Sequence, residues 1–115
     1  MKDSIIDIAS DFSPYVYGRT KGDHGDYSGE SFLNELLYPK YIEAYENKGK
    51  LIINLDGLIN FSSSFFSASF GGLVKKPDVD SGWLEKNLVI ISKLDPSLEK
   101  QIHIQIDKAL ASMEK

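Results

Sequence analysis

At 115 residues the chain has room for one hydrophobic core, so it reads as one domain spanning 1–115. Its 42% apolar and 26% charged residues fit a globular protein, and a net charge of −4 argues against nucleic acid as a partner. The absence of cysteine excludes disulfides, thiol catalysis and Cys-ligated zinc.

The N-terminus, MKDSIIDIASDF, lacks the apolar core of a signal peptide, and no window approaches the roughly 18 apolar residues of a membrane span. A cytoplasmic protein without membrane attachment is therefore expected. Ile5, Ile6 and Ile8 predict a short strand over residues 4–8 that ends near Asp11. Pro14 opens a second extended piece in which Tyr15 and Tyr17 share one face and Val16 takes the other. The short connection between the two makes an antiparallel hairpin the simplest pairing.

Gly18, Gly22, Gly25 and Gly29 then mark a long loop with neither the dinucleotide-binding nor the Walker pattern. Ser28 is a candidate N-cap and Glu30 places negative charge in the first helical turn. Phe32, Leu33, Leu36, Leu37 and Tyr41 recur at helical spacing, and Pro39 calls for a kink or for two short helices. Gly49 is read as the helix stop.

Leu51 to Leu55 is a short apolar run without strict alternation, the pattern of a strand covered on both faces, and Asp56-Gly57 ends it. Three serines, Ser62, Ser63 and Ser64, follow at a predicted helix start, and Phe66, Phe70 and Leu73 form its buried stripe. Gly71 and Gly72 weaken this helix unless they mark its end or a close helix–sheet contact. Lys75 to Gly82 reads as loop and Leu88 to Ile91 as another buried strand. Asp95-Pro96 opens a last helix carrying Leu98, Ile102, Ile106 and Leu110 every four residues. Its Asp-Pro start outweighs the strand-like alternation of Ile102, Ile104 and Ile106. The element order predicts an α/β sandwich with a small mixed sheet of about four strands packed with helices.

Several of these residues together resemble a known family. They are Gly18-Arg19, Ser28-Gly29-Glu30 with Phe32, Leu36-Leu37 with Pro39, Leu55-Asp56-Gly57, Ser63-Ser64-Phe65 and Phe70-Gly71-Gly72-Leu73-Val74. In this order, over about residues 3 to 112, the chain resembles the bacterial STAS-like domain family of unknown function. That family is named for its likeness to anti-sigma-factor antagonist and sulfate-transporter domains. The resemblance implies a STAS-like fold and a non-enzymatic regulatory role through protein–protein interaction, without a cofactor. It also implies a GHKL-type ATPase or anti-sigma kinase as the class of partner. The antagonists are switched by phosphorylation of a serine at a helix start after a core strand, and Ser64 takes that position, with Ser63 beside it. Ser62 and Phe65 stand where the antagonists have Asp and Gly. Ser67, Ala68 and Ser69 stand where relatives of the STAS-like family carry acidic residues.

Each candidate chemistry has a plainer counterpart. The serine cluster presents a target for phosphorylation, or else one serine caps the helix and the others satisfy backbone groups. Arg19, Ser28, Glu30, Asp56, Ser62, Ser63 and Ser64 converge on one rim if the second extended piece runs parallel to the 51–55 strand. There Arg19 would meet a phosphate or carboxylate, or else brace the loop. A small anion or a nucleotide is the alternative ligand for this rim. His24 between Asp23 and Asp26 has ligand types for a metal but reads as solvated loop, so no metal site is assigned. His103 reads as a surface or satisfied-core histidine. A hydrolase built from Ser63, His103 and Asp56 lacks nucleophile-elbow spacing. Trp83 is expected either to cover the core or to anchor a partner.

Overall fold

The computed structural model describes residues 2–113 apart from 21, 23, 24 and 26. Strand β1 is Lys2–Asp7, followed at once by one helical turn, α1, Ile8–Asp11. Helix α2 runs without a break through Gly29–Phe32, a π-helical turn Leu33–Leu37, and Tyr38–Glu46. Strand β2 is Lys48–Asn54. Helix α3 has the same build, with Ser63–Phe66, a π-helical turn Ser67–Gly71, and Gly72–Lys75. Helix α4, Ser81–Asn87, leads directly into β3, Leu88–Ile91, and α5 is Ser97–Met113. Segment 101–106 is therefore helical. No helix among the described residues is long and apolar enough to cross a membrane.

The sheet has three strands in the order β1-β2-β3, all parallel, rather than about four in a mixed arrangement. Residues 15–17 do not form the fourth. The cause lies in Asp7 and Asp11. The Asp7 carboxylate accepts the Ser10 N–H at 3.4 Å and the Asp11 carboxylate accepts the Asp7 N–H at 2.8 Å, which winds α1 and turns the chain off the sheet. The predicted antiparallel hairpin is thus replaced by one parallel bridge, Tyr15 to Asn60, with the Val16 N–H donating to Asn60 O at 3.0 Å. The alternation itself is real, because Val16 is buried while Tyr15 and Tyr17 are exposed.

Parallel strands laid down in sequence order, joined by right-handed crossovers, place every crossover helix on one face. Burial parity agrees. Ser4, Ile6, Leu51, Ile53 and Ile90 are buried, whereas Ile5 on the opposite face is 59% exposed and Ile52, Val89 and Ile91 are half-buried. The β2 strand is consequently covered on one face, not two. Tyr38–Glu46 packs on β1 and β2, α4 packs on β2, and α5 lies outside on α3. The buried apolar residues form one cluster in which Tyr41, Phe32, Phe65, Phe66 and Phe70 supply the largest fully buried side chains. Burying such a side chain is worth about 1.5–3 kcal/mol, which outweighs the weak helix propensity of the α3 serines and glycines.

Pro39 neither splits nor ends α2. A proline in a helix removes one N–H and crowds the carbonyl four residues back. The π-helical turn before it lets Tyr38 N–H reach Leu33 O, so one extra residue is fitted at the point of crowding. Gly49 is not the helix stop. Asn47 caps α2, Lys48 takes the left-handed conformation at φ 56°, and Gly49 lies inside β2. A Cβ there would sit 1.9 Å from Lys2 O, so glycine is required by the approach of β1. Gly71 and Gly72 mark neither an end nor a helix–sheet contact, since α3 continues to Lys75. They face other helices, Gly71 towards Ala109 and Gln105 O of α5, and Gly72 towards Leu33 of α2. Residues 81–87, partly read as loop, are helical because the Asp80 carboxylate accepts the Trp83 N–H at 3.0 Å. Trp83 is half-buried against the rings of Tyr41 and Tyr45, so it covers the core.

Candidate functional site: a basic groove beside the serine turn

The site begins with Ser62. Its hydroxyl accepts the Phe65 N–H at 3.2 Å as the N-cap of α3 and also the Gly18 N–H at 3.1 Å from the long loop. One side chain therefore starts the helix and fixes the loop against it. Gly18 O accepts the Gly29 N–H and Arg19 O accepts the Glu30 N–H, both at 2.9 Å, so the loop is also tied to the start of α2. Ser28 caps α2 through the Ser31 N–H at 3.3 Å and is fully buried. Gly29 lets the two helix starts meet, because a Cβ on it would stand 2.6 Å from Phe65 O and 2.7 Å from Ala68 Cβ.

With the loop so fixed, the Arg19 guanidinium reaches across α3 and donates from Nη1 to Ser67 Oγ at 3.2 Å. It forms one wall of a solvent-open groove of about 340 Å³ between α3 and α5. The hydroxyl residues Ser63, Ser64 and Ser67 line it from α3, and Ser112 lines it from α5. Two further cations, Lys75 and Lys108, border it, with Gln105 and Ala109 completing the lining. Ser63 is exposed, whereas Ser64 is half-buried and shares a hydrogen bond with Ser62 at 3.0 Å.

The predicted rim thus divides. Arg19, Ser63 and Ser64 come together in the groove, and Ser62 lies beneath them as the cap. Ser28 is buried scaffold. Glu30 is exposed in the first turn of α2 and does not line the groove. Asp56 is committed elsewhere, its carboxylate accepting the Lys93 and Leu94 N–H groups at 3.2 and 2.9 Å just after β3. Sequence reasoning missed Lys75, Gln105, Lys108 and Ser112. The one available signal was their polar character at positions flanking the apolar stripes of two helices.

Ser63, His103 and Asp56 do not assemble. His103 lines a separate cavity of about 370 Å³ between α4 and α5, and its Nε2 stands 3.8 Å from Glu99 on its own helix. The set His24, Asp23 and Asp26 lies outside the described residues. Among the described residues no group of three or more His, Asp or Glu side chains is placed to hold a metal ion.

Away from the groove, two phenols are perturbed. The Tyr41 hydroxyl accepts the Asp80 N–H at 2.7 Å, and burial raises its pKa above the usual tyrosine value. Tyr38 is raised chiefly by its hydrogen bond to the Asp78 carboxylate. These contacts join α2 to the segment that opens α4, and neither tyrosine lines the groove.

Comparison with protein-family models, with curated proteins and with solved structures finds no match for this chain.

Proposed function

We propose that this chain is a non-catalytic regulatory domain of STAS-like type, meeting a protein partner through the rim at the start of α3. One observation carries the reading: Arg19, Ser63 and Ser64, each singled out by the sequence, line one solvent-open groove. The serines stand at the start of the helix that follows β2 in the chain. The serine hydroxyls support binding over nucleophilic chemistry, because Ser62 and Ser64 bond to each other and Ser62 to backbone N–H groups. The resemblance to anti-sigma-factor antagonists points to a GHKL-type ATPase or anti-sigma kinase as the class of partner.

Within this reading Ser63 is the accessible hydroxyl for a kinase, and Ser64, which matches the antagonists' position, is half-buried. A phosphate on either adds a charge of about −1.5 to −2 beside Arg19, altering what a partner meets without removing the Ser62 cap. The test compares partner capture by the wild-type chain, Ser63→Glu and Arg19→Ala, with melting curves alongside. Both variants should retain the wild-type melting temperature and lose most of the partner. Equal recovery by all three would sink the proposal.

A further inference from the structure

The groove carries an inference about ligand class, which rests on the reading that this rim is the working surface. The chain as a whole is acidic, with 13 Lys and Arg against 17 Asp and Glu. The groove reverses that balance. Among the described residues, Arg19, Lys75 and Lys108 line it and none of the lining residues is acidic. The three cations come from three separate segments, the loop after β1, the end of α3 and α5, so tertiary packing gathers them. Cations gathered along one groove favour an anion there over a cationic or neutral ligand.

Arg19 is also held in place by its bond to Ser67 at 3.2 Å. A held guanidinium presents its fork to two oxygens of an anion at little entropic cost. Ser63, Ser64 and Ser67 add hydroxyls that suit the remaining oxygens, while the Ser112 hydroxyl donates to Ala109 O at 2.7 Å. Among the described residues that line it, Ala109 is the one apolar side chain and none is aromatic, so they offer a nucleobase nothing to stack on.

We infer that the groove binds a phosphate monoester, gripping the dianionic phosphoryl group between Arg19, Lys75 and Lys108 with the serine hydroxyls as added donors. A small molecule and a phosphorylated side chain of a partner offer the same chemistry. Three probes separate the sources: inorganic phosphate, glycerol 3-phosphate, and a short phosphoserine peptide with its unphosphorylated twin.

Each is titrated into the isotope-labelled full chain while amide shifts are followed by NMR. Saturable shifts centred on Ser63, Ser64, Ser67 and Lys108 are expected, with binding weakened roughly tenfold in Arg19→Gln and in Lys108→Gln. Lys108 is exposed and Lys108→Gln should melt like wild type, so its loss of binding cannot be ascribed to unfolding. Saturation by glycerol 3-phosphate supports a small-molecule source, and saturation by the phosphopeptide alone supports a side chain of a partner. Shifts that never saturate with any probe, or that persist unchanged in both variants, overturn the inference. A chain that captures a protein through the rim yet binds none of the probes overturns the anion site and leaves the rim reading standing.

Discussion

Gly29→Ala tests the packing that builds the groove. The added methyl would meet Phe65 O at 2.6 Å and Ala68 Cβ at 2.7 Å, one of them backbone and the other a side chain too short to swing aside. Carbon atoms rest at about 3.5–4.0 Å, so α2 and α3 must separate by about 1 Å. Phe65 O cannot turn away freely, since it accepts the Ser69 hydroxyl at 2.8 Å. Overpacking of this kind costs about 1–3 kcal/mol, and the helix gain of Ala over Gly offsets at most about 1 kcal/mol. A net loss of about 1–2 kcal/mol follows, or roughly 4–8 °C in melting temperature for a chain of this size. Gly71→Ala is the matched control, because its methyl would meet Ala109 Cβ at 3.5 Å, an ordinary contact. It should be neutral or stabilise by up to about 1 kcal/mol. Thermal melts of both variants by circular dichroism decide the matter. A Gly29→Ala protein that melts at or above the wild type, or a Gly71→Ala protein that melts several degrees below it, would refute the helix packing described.

The two neighbouring serines should separate cleanly in the same assay. Ser62→Ala removes the cap of α3 and the tie to Gly18 together and should cost about 1–2 kcal/mol, while exposed Ser63→Ala should stay within about 0.5 kcal/mol. Tyr41→Phe keeps the buried ring but strands the Asp80 N–H, for an expected loss of about 1 kcal/mol in urea unfolding. Because Tyr38 and Tyr41 hold their protons more tightly when folded, their contribution to stability is present at neutral pH and is lost as pH rises above the ordinary tyrosine value. Absorbance titration should accordingly show two phenols ionising late, and Tyr41→Phe should remove one of them. Ser4 Oγ is buried in β1 with no hydrogen-bond partner among the described residues, so Ser4→Ala should raise stability by about 1 kcal/mol.

Where structure follows from local chemistry, the sequence was informative. Leu51–Leu55 and Leu88–Ile91 are apolar runs that become β2 and β3, and Ser28 and Asp95 mark helix starts that the structure uses. Ile102, Ile104 and Ile106 alternate like a strand, yet the Asp95 turn and the four-residue stripe win and the segment is helical. What was not legible depends on partners distant in sequence. The alternation of Tyr15, Val16 and Tyr17 reports that Val16 is buried, and burial on one side does not require a ladder. Gly49 resembled a helix stop, but the constraint on it is the backbone of Lys2 in the neighbouring strand. Helix α4 was hidden by Gly82 in its first turn, although Asp80 carried the cap signal. The same distinction holds for the site. Arg19 and the serines stood out by residue type, whereas Lys75 and Lys108 look like ordinary solvated charges until α3 and α5 bring them to one groove.

We propose the α3 rim, and not the open sheet face bearing Ile5, as the surface on which a partner docks. Photo-crosslinking tests this directly, with a benzophenone amino acid placed at Ser63 or at Ile5 in the producing cell. A discrete adduct from position 63, absent from position 5 and lost when Arg19→Ala is added, is the predicted result. An adduct from position 5 with none from position 63 would place the docking surface on the sheet and rule out the rim.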